Sequence, residues 1–408
     1  MSVYPRNLQY VLKSLNQYSK QKYKLIPNIS QSQSVPNGSV ISVSLPQNTI
    51  VDLDSFSWMF KLSTNAGWLP SKHIEATVIN RVAVEINGVQ VDAGVANQNL
   101  LWRRLADWTL GDKENVRGIL NNGIGDFSVT ASNTAVTSQQ YGIWNWGLGF
   151  LATAQPRCIH TGLLGDVKII ITLSGSETLM KNASATGSAG FTITDNYFTM
   201  DTISLNDDIY LPLLRERLSS TENPIEIPFT SWTAFSSGVT NLSQTTTGTL
   251  STESLDMLVG TYQTSGALAN GANSNLRACD FFKTGSSNIL SSMFSINNTN
   301  YPQFTTTPAD AFVGTLGALN INQDVVGACD IMLSSYSNFR DNGFCHFLRL
   351  NHATAQDERV KSGLNLRGTN STVSWTSTGT EANVTPYLFA GKTSVLQVKD
   401  FKQLNVIQ

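Results

Sequence analysis

Apolar side chains recur at every second position over short runs throughout this chain. No other feature restricts its fold as strongly. Phe56, Trp58, Phe60 and Leu62 alternate with Ser57, Met59 and Lys61, and Ile41, Val43 and Leu45 share one face of residues 39–45. A period of two puts alternate side chains on one face of a half-buried strand. Val82, Val84 and Ile86 continue the pattern, and Asn87-Gly88 then leads into Val89 and Val91. An Asn-Gly pair between two alternating runs is a strong hairpin signal, because both residues tolerate positive φ. Residues 143–151 and 191–205 read as further strands. The solid apolar run 167–173 reads as a strand covered on both faces. Beyond it the candidates are 225–233, 255–262, 293–296, 344–350, 373–376, 387–389 and 395–398.

Helical spacing is rare. Leu101, Leu105 and Trp108 fall at i, i+4 and i+7 behind Asn97, a residue able to cap a helix. Residues 330–339 fit a short helix through Ile331, Leu333 and Tyr336. Near the start, Leu8, Val11, Leu12, Leu15 and Tyr18 give residues 7–21 an amphipathic pattern with lysines on the other side. This segment either docks on the protein's own body or faces a membrane or genome. Ser/Thr/Asn/Gly-rich stretches read as long loops at 111–142, 236–252, 264–276, 297–310 and 367–385. Loops of that length are unusual in compact domains unless they serve a purpose.

Length and punctuation divide the chain. Its 408 residues exceed one ordinary domain, and Pro212, Pro224 and Pro228 cluster mid-chain. The expected organisation is a basic amphipathic arm at 1–30, a first β domain at 31–220 and a second at 221–408. Each half reads as strands, one helix in a long excursion, then more strands. Many short strands with turn signals favour sandwiches, among which the eight-stranded double Greek key is one option.

Charge argues about partners. Charged residues make up 14% of the chain, against about 25% in ordinary proteins. Such a weakly charged polar surface suits a subunit walled in by neighbours, and a secreted β-rich protein would look similar. Net charge is −2, yet Arg6, Lys13, Lys20, Lys22 and Lys24 all precede the first acidic residue, Asp52. These five are the candidate contacts to a membrane or genome. No apolar run near the start suggests a secretion signal, and none reaches the roughly 20 residues of a membrane span. Cytosolic synthesis is therefore expected.

Chemical motifs are sparse. Cys158, Cys279, Cys329 and Cys345 form no CxxC pair and are expected as buried free thiols. His73, His160, His346 and His352 are scattered. Cys345 and His346 are neighbours, which a strand points to opposite faces, so they make a poor joint metal site. Asp52 and Asp54 could form a glycosidase or calcium pair, although no partner glutamate lies nearby. Asp207-Asp208 is similarly bare. Trp144 and Trp146 could stack on sugar or fill a core. No G-x-S-x-G elbow or phosphate-binding glycine loop occurs. Neither catalysis nor a cofactor or metal is expected.

Four segments carry a family resemblance. Residues 44–58, SLPQNTIVDLDSFSW, resemble the first-strand region of double jelly-roll major capsid proteins of tailless icosahedral viruses: polinton-like viruses, virophages and related phages. Residues 165–173, GDVKIIITL, followed by 197–205, YFTMDTISL, and residues 293–304, MFSINNTNYPQF, are similar to the same family. The resemblance implies an all-β chain of two tandem eight-stranded jelly rolls with short helices in the connecting loops. It implies homotrimers of pseudo-hexameric outline in a virion shell, touching neighbouring capsomers and minor penton or cement proteins. It also places the amino-terminal arm on the inner side. The alternative is a viral carbohydrate-binding spike or adhesin using Trp144, Trp146 or Trp375.

Overall fold

A computed structural model describes residues 19–29, 33–71, 73–109, 136–144, 146–181, 188–205, 224–264, 289–321, 343–351, 362–368, 371–399 and 403–407, plus a few single positions between them. The first half contributes β1 (Ser19–Leu25), β2 (Val35–Pro36), β3 (Val40–Ser44), β4 (Ile50–Thr64), β5 (Trp68–Leu69), β6 (Ile79–Ile86), β7 (Val89–Asp92), β8 (Gln139–Ile143), β9 (Cys158–His160), β10 (Val167–Leu173), β11 (Met180–Lys181) and β12 (Phe191–Ser204). One sheet runs β1-β12-β4-β8, with β2 also on β12 and β9 also on β4. The facing sheet runs β3-β10-β6-β7. β5 and β11 form a separate ribbon.

The second half contributes β13 (Ile225–Ser236), β14 (Gln244–Leu250), β15 (Leu255–Thr264), β16 (Ile289–Ile296), β17 (Thr299–Thr306), β18 (Cys345–Arg349), β19 (Ser371–Gly379), β20 (Val384–Lys399) and β21 (Gln403–Ile407). Its sheets run β13-β20-β15-β18 and β14-β19-β16-β17, and β21 pairs with β20. We count the β1/β2 pair and the β8/β9 pair as single broken strands and set the β5–β11 ribbon and β21 aside. Both halves then show one order, 1-8-3-6 in one sheet and 2-7-4-5 in the other. Every pairing is antiparallel.

Local chemistry repeats with the topology. In each half the fourth and fifth strands close through a two-residue turn with both residues at positive φ. The turns are Asn87 (50°) with Gly88 (76°), and Asn297 (49°) with Asn298 (65°). The flanking pairs are Ile86 with Val89 and Ile296 with Thr299. That turn geometry follows the natural strand twist. The helices are α1 (Ile74–Val78), α2 (Gln98–Thr109), α3 (Phe150–Thr153), α4 (Thr161–Leu164) and α5 (Pro308–Ala318). α2 and α5 occupy equivalent positions, each between the fifth and sixth strands. Asn97 precedes α2 at φ 55°, and its carbonyl accepts the Leu100 and Leu101 amides. α5 starts at a capping box: Thr307 accepts from the Asp310 amide, the Asp310 carboxylate accepts from the Thr307 amide, and Pro308 follows the cap.

Several expectations need correction. The strand expected at 143–151 ends at Ile143, and the chain turns into α3. Strand β8 begins inside the expected loop 111–142, β14 lies inside 236–252, and β17 with the start of α5 inside 297–310. The 367–385 loop holds β19, and residues 387–389 and 395–398 belong to the single strand β20. β10 alternates buried and half-buried residues instead of being covered on both faces. Of the helix expected at 7–21, residues 7–18 lie outside the described residues and 19–21 are strand. Residues 330–335 also lie outside them.

Each core borrows from the other half. The first contains Phe56, Trp58, Phe60, Ile169, Ile171 and Phe198, and it also takes in Ile227, Phe229, Leu396 and Val398 from the second half. The second is built around Tyr262, Phe294, Phe347, Trp375 and Phe389, and it takes in Leu101, Trp102, Ala106 and Trp108 of α2.

Candidate functional site: a buried seam and a basic edge strand

α2 is buried on nearly all sides; only Leu105 is half-buried and Thr109 exposed. A helix in that position must satisfy every polar side chain internally. Arg103 donates from Nε to Asp107 Oδ1 at 2.8 Å, one turn on, and Arg104 Nη1 lies 3.6 Å from Asp107 Oδ2. Arg104 Nε also donates to Thr261 Oγ1 on β15 at 3.3 Å. The Trp108 indole N–H donates to Cys345 Sγ on β18 at 3.1 Å, and its ring packs against Phe312 and Phe339. Burial pushes the Cys345 thiol up to about 12, so it stays protonated and inert.

A second set of contacts closes the other flank. Phe150 of α3 meets Phe229 of β13 edge-on, with centroids 5.2 Å apart. The Gln155 amide donates to the Pro228 carbonyl at 2.9 Å, and the Thr230 amide donates to Thr153 Oγ1 at 2.8 Å. Apolar packing on both flanks, with directional bonds across it, holds the two halves at one angle.

The lysines expected to face a membrane or genome fall into two groups. Arg6 and Lys13 lie outside the described residues. Lys20, Lys22 and Lys24 alternate along β1, which among the described residues pairs only with β12. Lys20 Nζ is 2.9 Å from Asp201 and 3.5 Å from Asp52, and the Asp201 hydrogen bond raises its pKa. Lys22 stands opposite Asp201 in register. Lys24 lies 4.3 Å over the Tyr197 ring.

The remaining candidates disperse. Asp52 pairs with Lys20, whereas Asp54 accepts from Arg157 Nε at 2.7 Å, so the two acids do not converge as a catalytic pair. Asp207 and Asp208 lie outside the described residues. Trp146 is core: it stacks 5.0 Å from Phe56 and donates to the Phe56 carbonyl at 2.8 Å. Trp375 is fully buried and donates to Ser292 Oγ. Only Trp144 remains half-buried, lining a cleft of about 350 Å³ with Asp54 and Arg157. His346 is buried, with Nδ1 2.8 Å from Ser292 Oγ, and burial lowers its pKa to about 4. Cys158 is exposed, against the expectation of burial, while Cys345 is buried and free. Cys279, Cys329 and His352 lie outside the described residues. Among the described residues no three His, Cys, Asp or Glu side chains come together to hold a metal, and no helix is long and apolar enough to cross a membrane.

Comparisons fit this geometry. No family model and no curated protein matches the sequence. Solved structures do. The VP54 protein of PBCV-1, fitted into a reconstruction of the virophage Sputnik, superposes with a TM-score of 0.63 at 14% identity, over 98% of this chain and 99% of that one. The Faustovirus major capsid protein gives 0.61 at 10% identity, over 97% and 93%. The quasi-atomic PBCV-1 capsid gives 0.59 at 15% identity, over 98% and 99%. The fold is a double jelly roll. Its two rolls repeat one strand order, and α2 of the first roll is built into the core of the second. The cross-roll pairs Trp108–Cys345 and Arg104–Thr261 were not singled out in the sequence. The i, i+4 spacing of Arg103 and Asp107 was the one available signal for the charged cluster beside them.

Proposed function

We propose that this chain is the major capsid protein of an icosahedral virus, a shell subunit with no catalytic role and no cofactor. The observation that carries the reading is the repetition of one jelly-roll strand order in two rolls locked by a buried seam, over the full length of capsid proteins of the same fold. Rigidity suits a tile. Two similar rolls per chain and three chains per ring give six similar edges, which pack hexagonally while the ring closes on itself. The proposed organisation is an arm at 1–30, whose β1 joins the sheet of the first roll, with rolls at 31–220 and 221–408. Its partners are two further copies, neighbouring capsomers and minor penton or cement proteins, within a virion.

The basic arm is proposed to face the inner side, toward a membrane or genome, through Arg6, Lys13, Lys20, Lys22 and Lys24. Lys20, Lys22 and Lys24, which alternate along β1, are the described part of that contact. The double substitution Lys22→Glu with Lys24→Glu should leave capsomers intact and reduce particle yield; unchanged yield would refute this orientation. Removing residues 1–25 would be a poor test, because it strips an edge strand from the first roll. The reading as a whole is tested by light scattering and negative-stain microscopy of the purified chain, which should show compact trimers of hexagonal outline.

A further inference from the structure

The seam between the rolls holds more buried charge than the joining of two apolar cores requires. Glu75 on α1 is 3% exposed. His73 Nδ1 lies 3.9 Å from its Oε1. From α2 the Arg103 guanidinium and the Trp102 indole act on its carboxyl, while Arg103 and Arg104 share Asp107. β6, β8 and the turn at 176–178 also pack against α1. They carry Arg81 and Glu85, the buried phenol Tyr141, and Glu177 respectively. Of these, Arg81 is committed to the Ala93 carbonyl. A hydrogen bond from Arg104 to Thr261 ties the cluster directly to the second roll.

Two effects compete at Glu75. Ionised, it would complement the second guanidinium; neutral, it avoids the cost of a buried charge. Desolvation is the larger, raising the carboxyl from 4.5 to about 7 against the opposing pull of Trp102 and Arg103.

We propose that Glu75 is a proton-operated latch on the seam: protonated, it lets α1 seat α2 against β15, and ionised, it draws water into the joint and loosens α2. The sign follows from linkage. A carboxyl raised on folding contributes stability fully below its unfolded value of 4.5, and that contribution is lost as pH rises through about 7. Asp92 and Asp256, also raised by burial, act in the same direction. His346 acts oppositely and in acid.

The test is amide hydrogen exchange of α2 in the intact chain at about pH 6 and about pH 8.5, corrected for intrinsic exchange rates. Protection of residues 98–109 should fall on the alkaline side by roughly 10-fold, the share above pH 6 of the roughly 300-fold total that a carboxyl moved from 4.5 to about 7 can produce. Glu75→Gln, which mimics the protonated acid, should keep the acid-side protection at both pH values. A variant that loses protection as the wild type does would overturn the latch. Wild-type protection that is flat with pH would overturn it too, whether or not the variant folds.

Discussion

Replacing Trp108 by Ala removes a side chain that belongs to the first roll in sequence and to the second in packing. The indole is 2% exposed, rests on Phe312 and Phe339, and donates its N–H to Cys345, 237 residues away. Burying a tryptophan removes about 200 Å² from water, worth about 5 kcal/mol at 25 cal/mol per Å². Truncations of large aromatics to Ala commonly cost about 3–5 kcal/mol. The loss of the sulfur contact is small beside this. Trp108→Ala should therefore lower unfolding free energy by about 4 kcal/mol in chemical denaturation. Because the cores are shared, hydrogen exchange should show the loss in β15 and β18 of the second roll as well as in α2. A cost under about 1 kcal/mol, or a loss confined to the first roll, would refute the shared-core argument.

Three further outcomes follow from particular side chains. Burial depresses His346 from 6.5 to about 4, so its stabilising contribution is complete above 6.5 and lost as pH falls toward 4; His346→Gln should flatten acid unfolding there, and an unchanged acid limb would argue against a buried neutral imidazole. Thr307→Ala breaks the α5 capping box and should cost about 1 kcal/mol by thermal unfolding, whereas no change would mean the box adds nothing. Of the two described cysteines, Cys158 should react with a thiol reagent in the native protein and Cys345 only after unfolding; equal native reactivity would contradict the buried seam.

The sequence conveyed the fold wherever strands bury large apolar side chains on one face. β4 and β6 with its Asn-Gly turn were legible for that reason. β14 was not, because its inward positions are Thr246, Gly248 and Leu250. Thr246 is buried with its hydroxyl bonded to Ser237, and Gly248 lies under the Phe235 ring, where any Cβ would collide. Small and hydroxylic residues can line a core when their partners come from elsewhere in the fold, and alternation of large side chains does not register them. β17 was hidden differently: it is an edge strand that leaves Phe304 exposed. The turn that precedes it uses Asn-Asn in place of Asn-Gly, and the capping box at Thr307 marks where the following helix starts.

The seam was least legible. Arg103, Arg104 and Asp107 carry the charge of a surface helix, yet α2 is enclosed by strands more than a hundred residues downstream. Only tertiary packing tells a solvated ion pair from a buried one. The basic edge was half legible: the lysines stood out, but their carboxylate and aromatic partners on β4 and β12 did not.

The mass of the purified native chain in solution, measured together with its outline by electron microscopy, bears most directly on the proposed role. Three copies in a compact particle with six similar edges is the predicted result. A stable single copy at micromolar concentration, with no tendency to form rings or sheets, would contradict it.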